Sequence, residues 1–362
     1  MAIDELLRMM MEKNASDLHI KVGRPPLLRV ARKIVPTEGE RFSPEDVSNL
    51  IYSVLNSEQR QRFEEKHELD LGYSIPGLSR FRVNVFFQRG TIEAVFRAIP
   101  FEVPTIDKLG LPEVLKELAL KTQGLILVTG PTGSGKTTTM AAMLRHINEN
   151  RQAHIITIEE PIEYLHKDNL SSISQREIGY DTYSYTDALK YVLRQDPDVI
   201  LIAEMRDQDT TRVAMRAAET GHLVLTTLHT YNSPQAVERI IGFFSPEEQA
   251  QVRMQLSLLL MGVLSQRLLT TAEGNGMCAC MEVMTSSPQI QKLIAEGKIN
   301  QIHEAIASSV THFKMQTINQ SLVALCLNGD ITPQEAVSTS PDADEFKRIL
   351  HDFQVGRAAK ID

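Results

Sequence analysis

The chain has 362 residues, which is enough for two or three domains, and its 42% hydrophobic content is sufficient for buried cores. A formal net charge of −8 disfavours nucleic acid as a partner, because an acidic surface repels the phosphate backbone. The longest apolar run, Leu258 to Leu264, is too short to cross a membrane, and Met1 to Glu12 lacks the apolar core of a signal peptide, so we expect a cytoplasmic protein.

Residues 1–99 have the pattern of a separate α+β domain. After a first amphipathic helix, short strands are predicted at 17–22 and 27–30. Ser43, which is followed by proline, and Ser57 are predicted to cap two further helices at their N-termini. We therefore expect this domain to combine helices with strands around a core of its own.

A β-hairpin is predicted near the end of this domain, with Arg89 and Gly90 as a two-residue turn. This turn fixes the register and gives one apolar face, on which the opposite pairs are Phe81 with Ala98, Val83 with Phe96, Val85 with Ala94 and Phe87 with Ile92. The same register places Arg82 opposite Arg97. A like-charge pair is unfavourable by a few tenths of a kcal/mol unless an anion lies between the two side chains. Two divergent, solvated arginines are the alternative.

Residues 100–113 are rich in proline and glycine and are predicted to link this domain to a second one. There, 130–137 reads Gly-Pro-Thr-Gly-Ser-Gly-Lys-Thr, between an apolar strand and a helix. This pattern predicts a phosphate-binding loop for ATP or ADP, in which Lys136 contacts the phosphates and Thr137 ligates Mg²⁺. A glycine-rich turn that binds nothing is disfavoured, because the spacing and the flanking elements both match. The predicted binding residues are Gly130, Pro131, Thr132, Gly133, Ser134, Gly135, Lys136, Thr137 and Thr138.

After this loop, apolar strands alternate with helices, which is typical of a parallel α/β sheet with functional groups at the carboxyl ends of its strands. Glu163 lies in a stretch with three glutamates, and Glu204 ends an apolar strand, where an acid can hold Mg²⁺ or orient water. His222 and His229 flank the next strand and are predicted to belong to the nucleotide site. Singly, such carboxylates often cap helices and such histidines often pack in cores. Together with the phosphate-binding loop they favour hydrolysis.

From Pro246 onward the pattern predicts helices, apart from a strand at 277–284. The residues predicted to form the core face of the first long helix are Leu256, Leu259, Leu260 and Val263. Cys278 and Cys280 fall on the predicted strand. We expect them to be small buried side chains, because two thiolates one residue apart, without a second pair, do not make a zinc site.

Four stretches resemble the motifs of one family. Residues 130–137, 157–163, 196–207 and 220–230 are similar to the Walker A, Asp box, Walker B and His box of the type II/IV secretion ATPase superfamily. The resemblance covers nearly the whole chain, and it is greatest to the type IV pilus retraction (twitching-motility, PilT-type) ATPases. Small departures are Glu160, where the Asp box usually has aspartate, and Ala203, where Walker B usually has glycine.

The resemblance implies a two-domain fold. The expected parts are a PAS-like domain at 1–99, a linker at 100–113, a RecA-like P-loop NTPase core at 114–285 and a helical C-terminal tail at 286–362. It also implies a homohexameric, Mg²⁺-dependent ATP hydrolase that withdraws pilin subunits.

The resemblance also implies roles for particular residues. Glu163 is expected to poise the attacking water and Glu204 to lie near Mg²⁺, although these two roles could be reversed. His229 is expected near the γ-phosphate, and Arg82 and Arg97 are expected to reach the nucleotide of a neighbouring subunit. The implied partners are an inner-membrane platform protein of the pilus, at which the protein would dock peripherally, and a paralogous retraction ATPase. No nucleic acid is expected as a partner.

One departure leaves the direction of pilus movement open. Retraction motors carry Ala-Ile-Arg-Asn-Leu-Ile-Arg-Glu where 289–296 reads Gln-Ile-Gln-Lys-Leu-Ile-Ala-Glu, so both arginines are missing. This segment is predicted to be a helix with aliphatic residues packed inward and with Gln291 and Lys292 exposed. An accessory paralogue therefore stays an alternative.

Motors for pilus extension or type II secretion are a further alternative. They are disfavoured because we find neither a long N-terminal extension nor a four-cysteine module. A nucleotide-binding regulator without turnover would be indicated by the loss of Lys136, Glu163 or Glu204, and all three are present.

Overall fold

The structure is a computed structural model that describes residues 2–30, 33–99, 102–274 and 276–358. The chain divides into two compact units, which we describe separately. Unit 1 comprises Met1–Glu102 with Pro161–Leu165, and unit 2 comprises Val103–Glu160 with His166–Asp362. The domain boundaries expected from the sequence stay a prediction; residues 100 and 101 of the expected linker and 359–362 of the expected tail lie outside the described residues.

Unit 1 packs helices against one face of an antiparallel sheet. Its elements are α1 Ile3–Glu12, β1 Asp17–Lys21, β2 Leu27–Val30, β3 Lys33–Pro36, α2 Pro44–Tyr52, α3 Ser57–Lys66, β4 Glu68–Ile75, β5 Ser79–Gln88 and β6 Thr91–Ala98. The strand order is β3-β2-β1-β6-β5-β4. Ser43 caps α2 as predicted, but Asn56, rather than Ser57, caps α3, because its side chain accepts from the N–H of Gln59.

The predicted hairpin register is confirmed. β5 and β6 pair Phe81 with Ala98, Val83 with Phe96, Val85 with Ala94, Phe87 with Ile92 and Arg82 with Arg97. The turn residues Arg89 and Gly90 have φ values of 51° and 76°, the left-handed conformation that a tight hairpin turn requires at both positions. Most of the inward face is buried, but Ala98 is partly exposed, and Phe87 at the turn end is 36% exposed and stacks on Phe63 at a centroid distance of 4.9 Å.

Unit 2 is built on a seven-stranded sheet in the order β13-β12-β7-β11-β10-β8-β9. Its strands are β7 Gly124–Thr129, β8 His154–Glu159, β9 Ser172–Glu177, β10 Val199–Ile202, β11 Leu223–Leu228, β12 Leu260–Thr270 and β13 Met277–Thr285. Its helices are α4 Val114–Ala119, α5 Lys136–Asn150, α6 Tyr185–Val192, α7 Gln208–Glu219, α8 Ser233–Gly242, α9 Pro246–Leu259, α10 Pro288–Ala295, a 3₁₀ turn Ile299–Gln301, α11 Ile302–Ser308, α12 Val310–Phe313, α13 Ile318–Asn328, α14 Pro333–Thr339 and α15 Ala343–Ala358.

All neighbouring strands of this sheet run parallel except β12 and β13. The central strands β7, β10 and β11 are mostly apolar and fully buried because both faces of the sheet are covered there, whereas the edge strand β9 is polar and partly exposed. Leu125 and Leu127 pack in the cluster that holds α6 to α11, whereas Ile126 and Val128 pack with α4 and α5. The expected α/β fold with an N-terminal α+β domain is confirmed, and the carboxyl ends of β7, β8, β10 and β11 meet at one edge.

One predicted helix is wrong at its C-terminal half. Helix α9 ends at Leu259, and Leu260 and Val263 lie on β12, beside the strand that enters the phosphate-binding loop. An apolar run of this length fits a buried strand as well as a helix. The partner decides between them, because β7 otherwise has an unpaired edge.

The remaining expectations for unit 2 concern its cysteines and its surface. Cys280 is buried on β13 as predicted, whereas Cys278 and Cys326 are partly exposed, and all three thiols are free. No helix within the described ranges is both long and apolar enough to cross a membrane.

Candidate active site

The loop between β7 and α5 contains glycines in a backbone conformation that other residues rarely adopt. Gly130 has a φ of 143°, and a Cβ there would lie 2.3 Å from the carbonyl oxygen of Gln266. Gly135 has a φ of 87°, and a Cβ there would lie 2.8 Å from the side-chain nitrogen of Gln266. The loop therefore needs glycine both for its backbone conformation and for its close approach to β12.

Gln266 joins the loop to the sheet. It is buried on β12, and its side-chain oxygen accepts a hydrogen bond of 2.6 Å from the hydroxyl of Thr139 on α5. One residue before it, Ser265 accepts a hydrogen bond of 2.9 Å from the hydroxyl of Thr129 at the end of β7. These two contacts hold the start and the end of the loop against the same neighbouring strand.

The loop fits a phosphate group. The Oγ of Ser134 is buried and has no hydrogen-bond partner among the described residues. The first N–H groups of α5 carry no intrahelical bond and form the positive end of the helix dipole. An orphaned hydroxyl beside such N–H groups is a donor set that suits phosphate oxygens.

Lys136 lies over this loop as its sequence position predicts. Its Nζ donates hydrogen bonds to the carbonyl oxygens of Gly130 at 2.8 Å and Pro131 at 3.0 Å. Thr137 and Thr138 follow in the first turn of α5 and are partly buried, whereas Thr132 and Gly133 are exposed at the tip of the loop. Thr137 thus directly follows Lys136 in the first turn of α5, which is the sequence position of the Mg²⁺-binding threonine in a P-loop.

A cluster of charged side chains lies at the same edge of the sheet. Glu204 follows β10; one of its carboxylate oxygens accepts from the Nε of Arg206 at 2.8 Å, and the other lies 3.2 Å from the Nε2 of His229. Arg206 also contacts Glu160, which follows β8, with 3.2 Å between Nη1 and Oε2. The hydrogen bond to Glu204 raises the pKa of Arg206. Glu204, Arg206 and Glu160 therefore form an ion-pair network at the ends of two parallel strands, with His229 from the end of a third strand beside it.

Two neighbours of this cluster differ in what they can do. The Tyr185 hydroxyl is buried and has no partner among the described residues, and burial together with the charge of Glu160 raises its pKa. Glu159 is buried and accepts from Thr157 at 2.6 Å and from Gln175 at 3.0 Å. Glu159 thus ties β8 to β9, whereas Tyr185 keeps a hydroxyl that can donate to an added acceptor.

Two further predicted site residues are Glu163, which belongs to the other unit, and His222, which lies away from this edge. Glu163 is exposed in the segment Pro161–Leu165, which belongs to unit 1. His222 precedes β11, at the amino end of the sheet, and its Nδ1 lies 2.9 Å from the carbonyl oxygen of Ala217. A nucleotide role for His222 within one chain stays a prediction, and its position at the opposite edge of the sheet argues against it.

Arg82 and Arg97 lie side by side on the sheet of unit 1, and each has an acidic neighbour. The Nε of Arg97 donates to Asp17 at 2.8 Å, and Arg82 lies 3.8 Å from Asp70. The repulsion expected from the register is therefore offset by carboxylates on the flanking strands. Both guanidinium groups are exposed enough to meet an added anion.

Sequence reasoning missed four residues that the geometry singles out: Glu160, Arg206, Gln266 and Asp17. Glu160 and Arg206 lie within the Asp box and Walker B stretches. An ion pair between them could have been predicted, because the two strands that they follow are neighbours in a parallel sheet. Gln266 was missed because a helix was predicted over the start of β12, the strand that carries this residue. The signal for Asp17 is the hairpin itself, because a strand beside β6 must place some residue opposite Arg97.

Comparison with known proteins shows which family the chain belongs to. Residues 1–332 match the family described as "Type II/IV secretion system protein". The chain belongs to this family. Two relatives from Pseudomonas aeruginosa cover almost all of it: the type IV pilus ATPase PilU is 42% identical over 97% of this chain and 91% of its own length, and the type IV pilus retraction ATPase PilT is 44% identical over 96% and 100%.

A solved structure of a family member agrees with the fold. The crystal structure of the pilus retraction motor PilT with bound ADP superposes with a TM-score of 0.89 at 44% identity, covering 96% of this chain and 99% of the other. The family resemblance and the two-domain fold predicted from the sequence are thereby confirmed.

Proposed function

We propose that this chain is the ATP-hydrolysing subunit of a motor that retracts type IV pili. The observation that carries the proposal is the Gly130–Lys136 loop, with its orphaned Ser134 hydroxyl, at the same sheet edge as Glu204. Membership of the family and near full-length similarity to a pilus retraction ATPase confirm the predicted ATP hydrolase activity and its nucleotide cofactor.

The residues at the edge of the sheet have separate proposed roles in binding and hydrolysing ATP. The loop N–H groups and Lys136 bind the phosphates, which requires Lys136 to exchange its carbonyl partners for phosphate oxygens. Thr137 and Glu204 would hold Mg²⁺, which neutralises charge on the phosphates when bound. His229, in contact with Glu204, would sense the γ-phosphate, and Glu163 would orient the attacking water.

Hydrolysis is further proposed to need arginines from a second subunit of a homohexamer. Arg82 and Arg97 belong to unit 1, and their side chains are 41% and 65% exposed. Arginine grips phosphate through two parallel N–H groups and can stabilise charge that develops during phosphoryl transfer. An arginine finger contributes a thousandfold or more to turnover, so Arg97→Ala should be nearly inactive and still bind ATP.

Mixed rings test this arrangement. Inactive Arg97→Ala subunits are combined one to one with inactive Lys136→Ala subunits, and phosphate release is measured. If the arginine acts in trans, about a quarter of the wild-type rate should return, because half the P-loops are intact and half of their neighbours supply an arginine. No activity in rings shown to be mixed would exclude independent action in trans, and wild-type turnover of Arg97→Ala alone would exclude the finger.

One observation favours a second candidate, an accessory paralogue that works beside a separate retraction ATPase. Helix α10 buries Ile290, Leu293 and Ile294 as predicted. Lys292 is exposed as predicted, whereas the predicted exposure of Gln291 is only partial, because its amide donates to Ser286 at 3.1 Å. The position at which retraction motors carry arginine is therefore occupied by a neutral side chain engaged within its own subunit.

The pilus itself supplies the proposed partner and place of action. A docked ring would lie at the inner face of the inner membrane, against the platform protein of the pilus. Fibre retraction in a strain that lacks this gene tests the function directly. Unchanged retraction in that strain, with a normal ATPase in vitro, would favour the accessory role.

A further inference from the structure

Asp17 lies in a row of charged residues that crosses the sheet of unit 1. The strand registers place Arg82 opposite Arg97, Arg97 opposite Asp17, and Asp17 opposite Arg29. All four side chains share one face of the sheet, because directly opposite residues point the same way. Asp17 thus lies between Arg97 and Arg29, with Arg82 next in the row beyond Arg97, and the row carries a local excess of positive charge.

Both oxygens of Asp17 are engaged. Oδ1 accepts from the Nε of Arg97 at 2.8 Å, while Oδ2 accepts from the hydroxyl of Ser16 at 2.7 Å and lies 3.3 Å from the Nε of Arg29. The side chain is only 3% exposed. Burial raises the pKa of Asp17, but the hydrogen bonds from Ser16 and Arg97 more than offset this effect and bring the pKa below its ordinary value. The carboxylate is therefore ionised and held in place.

The contact leaves Arg97 equipped for a second anion. Asp17 accepts only from the Nε–H, so this bond uses none of the four N–H groups on Nη1 and Nη2. The other arginine of the pair is held less firmly, since Arg82 lies 3.8 Å from Asp70, and Asp70 is 55% exposed. An exposed pair at that distance contributes little to orientation.

We propose that Asp17 is a positioning residue for Arg97: it fixes the Nε edge of the guanidinium so that the outer edge meets the γ-phosphate of a neighbouring subunit. This inference rests on the function proposed above for Arg97. A misplacement of about 1 Å can lower turnover a hundredfold, so a carboxylate that removes the side chain's freedom has a measurable effect on rate.

The test is Asp17→Asn in the full chain, with Glu93→Gln as the matched control. Glu93 forms the other ion pair between β1 and β6, with 3.3 Å between its carboxylate and Lys21, on the same face of the sheet. We expect Asp17→Asn to lower kcat on the order of ten- to a hundredfold and to leave the affinity for ADP unchanged, since ADP lacks the phosphate that Arg97 meets. Glu93→Gln should leave both quantities unchanged.

Mixed rings separate positioning from a general loss of structure. In rings of Asp17→Asn with Lys136→Ala, half of the intact P-loops meet a neighbour with a correctly held Arg97, so turnover per intact P-loop should rise above that of the Asp17→Asn homomer. A P-loop damaged by misfolding would not be rescued in this way. Adding Asp17→Asn to Arg97→Ala should lower the residual turnover no further.

Each outcome decides a separate question. If Asp17→Asn has wild-type turnover while Arg97→Ala is inactive, the positioning role of Asp17 is overturned and the arginine finger is kept. If Arg97→Ala itself has wild-type turnover, both the finger and this inference are overturned. Lack of rescue in mixed rings reduces Asp17 to a structural residue. If Asp17→Asn does not fold, Asp17→Glu keeps the charge and moves the carboxylate by one methylene. We expect it to lower kcat as well, and full turnover would contradict the proposal.

Discussion

Replacing Glu204 with glutamine should leave the protein folded and able to bind ATP, but about a hundredfold or more slower in turnover. The carboxylate accepts from Arg206 at 2.8 Å and lies 3.2 Å from His229, and these two partners are 52% and 48% exposed. Contacts of such exposure contribute at most about 1 kcal/mol to the free energy of unfolding. A hundredfold loss of rate corresponds to about 2.7 kcal/mol of activation free energy, so chemistry should suffer more than stability.

Three measurements separate these effects. Phosphate release gives kcat, a fluorescent ATP analogue gives affinity, and circular dichroism gives the thermal midpoint, which should shift by only a few degrees. The control is Glu219→Gln, because Glu219 is an exposed glutamate at the far end of α7. Turnover of Glu204→Gln within a few-fold of wild type would refute the assignment of Glu204, and a large loss of thermal stability would refute the account of its contacts.

Other substitutions test separate parts of the structure. Gly130→Ala should lose nucleotide binding and melt several degrees lower, because its Cβ would lie 2.3 Å from the Gln266 carbonyl oxygen; normal ATP affinity would contradict the loop geometry. Burial lowers the pKa of His166 to about 4, so the unfolded chain binds the proton more tightly. The contribution of neutral His166 to the free energy of unfolding should be fully present above pH 6.5 and should fall by about 1.4 kcal/mol by pH 5.5. Thermal unfolding of His166→Gln should not show this loss. Arginine introduced at both Gln291 and Ala295 should change pilus retraction and leave ATP turnover unchanged. Full retraction by the unmodified protein alone would contradict this prediction, because the missing arginines would then not limit retraction.

Short stretches of sequence were sufficient to predict the structure where a few adjacent residues determine the backbone geometry. The Arg89-Gly90 turn predicts the whole hairpin register, because two left-handed residues in a two-residue loop permit one pairing only. The spacing of glycines before Lys136 likewise predicts a loop whose backbone can approach phosphate oxygens. In both places a few residues that are adjacent in the sequence determine the backbone conformation.

The rest depends on partners that are distant in the sequence. Leu260 and Val263 form a strand because the edge of β7 is available to them, and apolar periodicity carries no information about that edge. The contact of Arg206 with Glu160 joins the ends of strands that are neighbours only in the folded sheet. For Asp17, the sequence predicted a strand but not which strand would lie beside β6.

The place of β12 in the sheet also has a consequence for synthesis of the protein. The hydroxyls of Thr129 and Ser265 are hydrogen-bonded across 136 residues of sequence, and β7 is flanked by β11 on one side and by β12 on the other. At about 5 to 20 residues per second, the ribosome needs about 7 to 27 s to make the second strand after the first. During that interval the strand that enters the phosphate-binding loop lacks one neighbour, so we expect a nascent chain that ends before residue 260 to bind chaperones and to lack affinity for ATP.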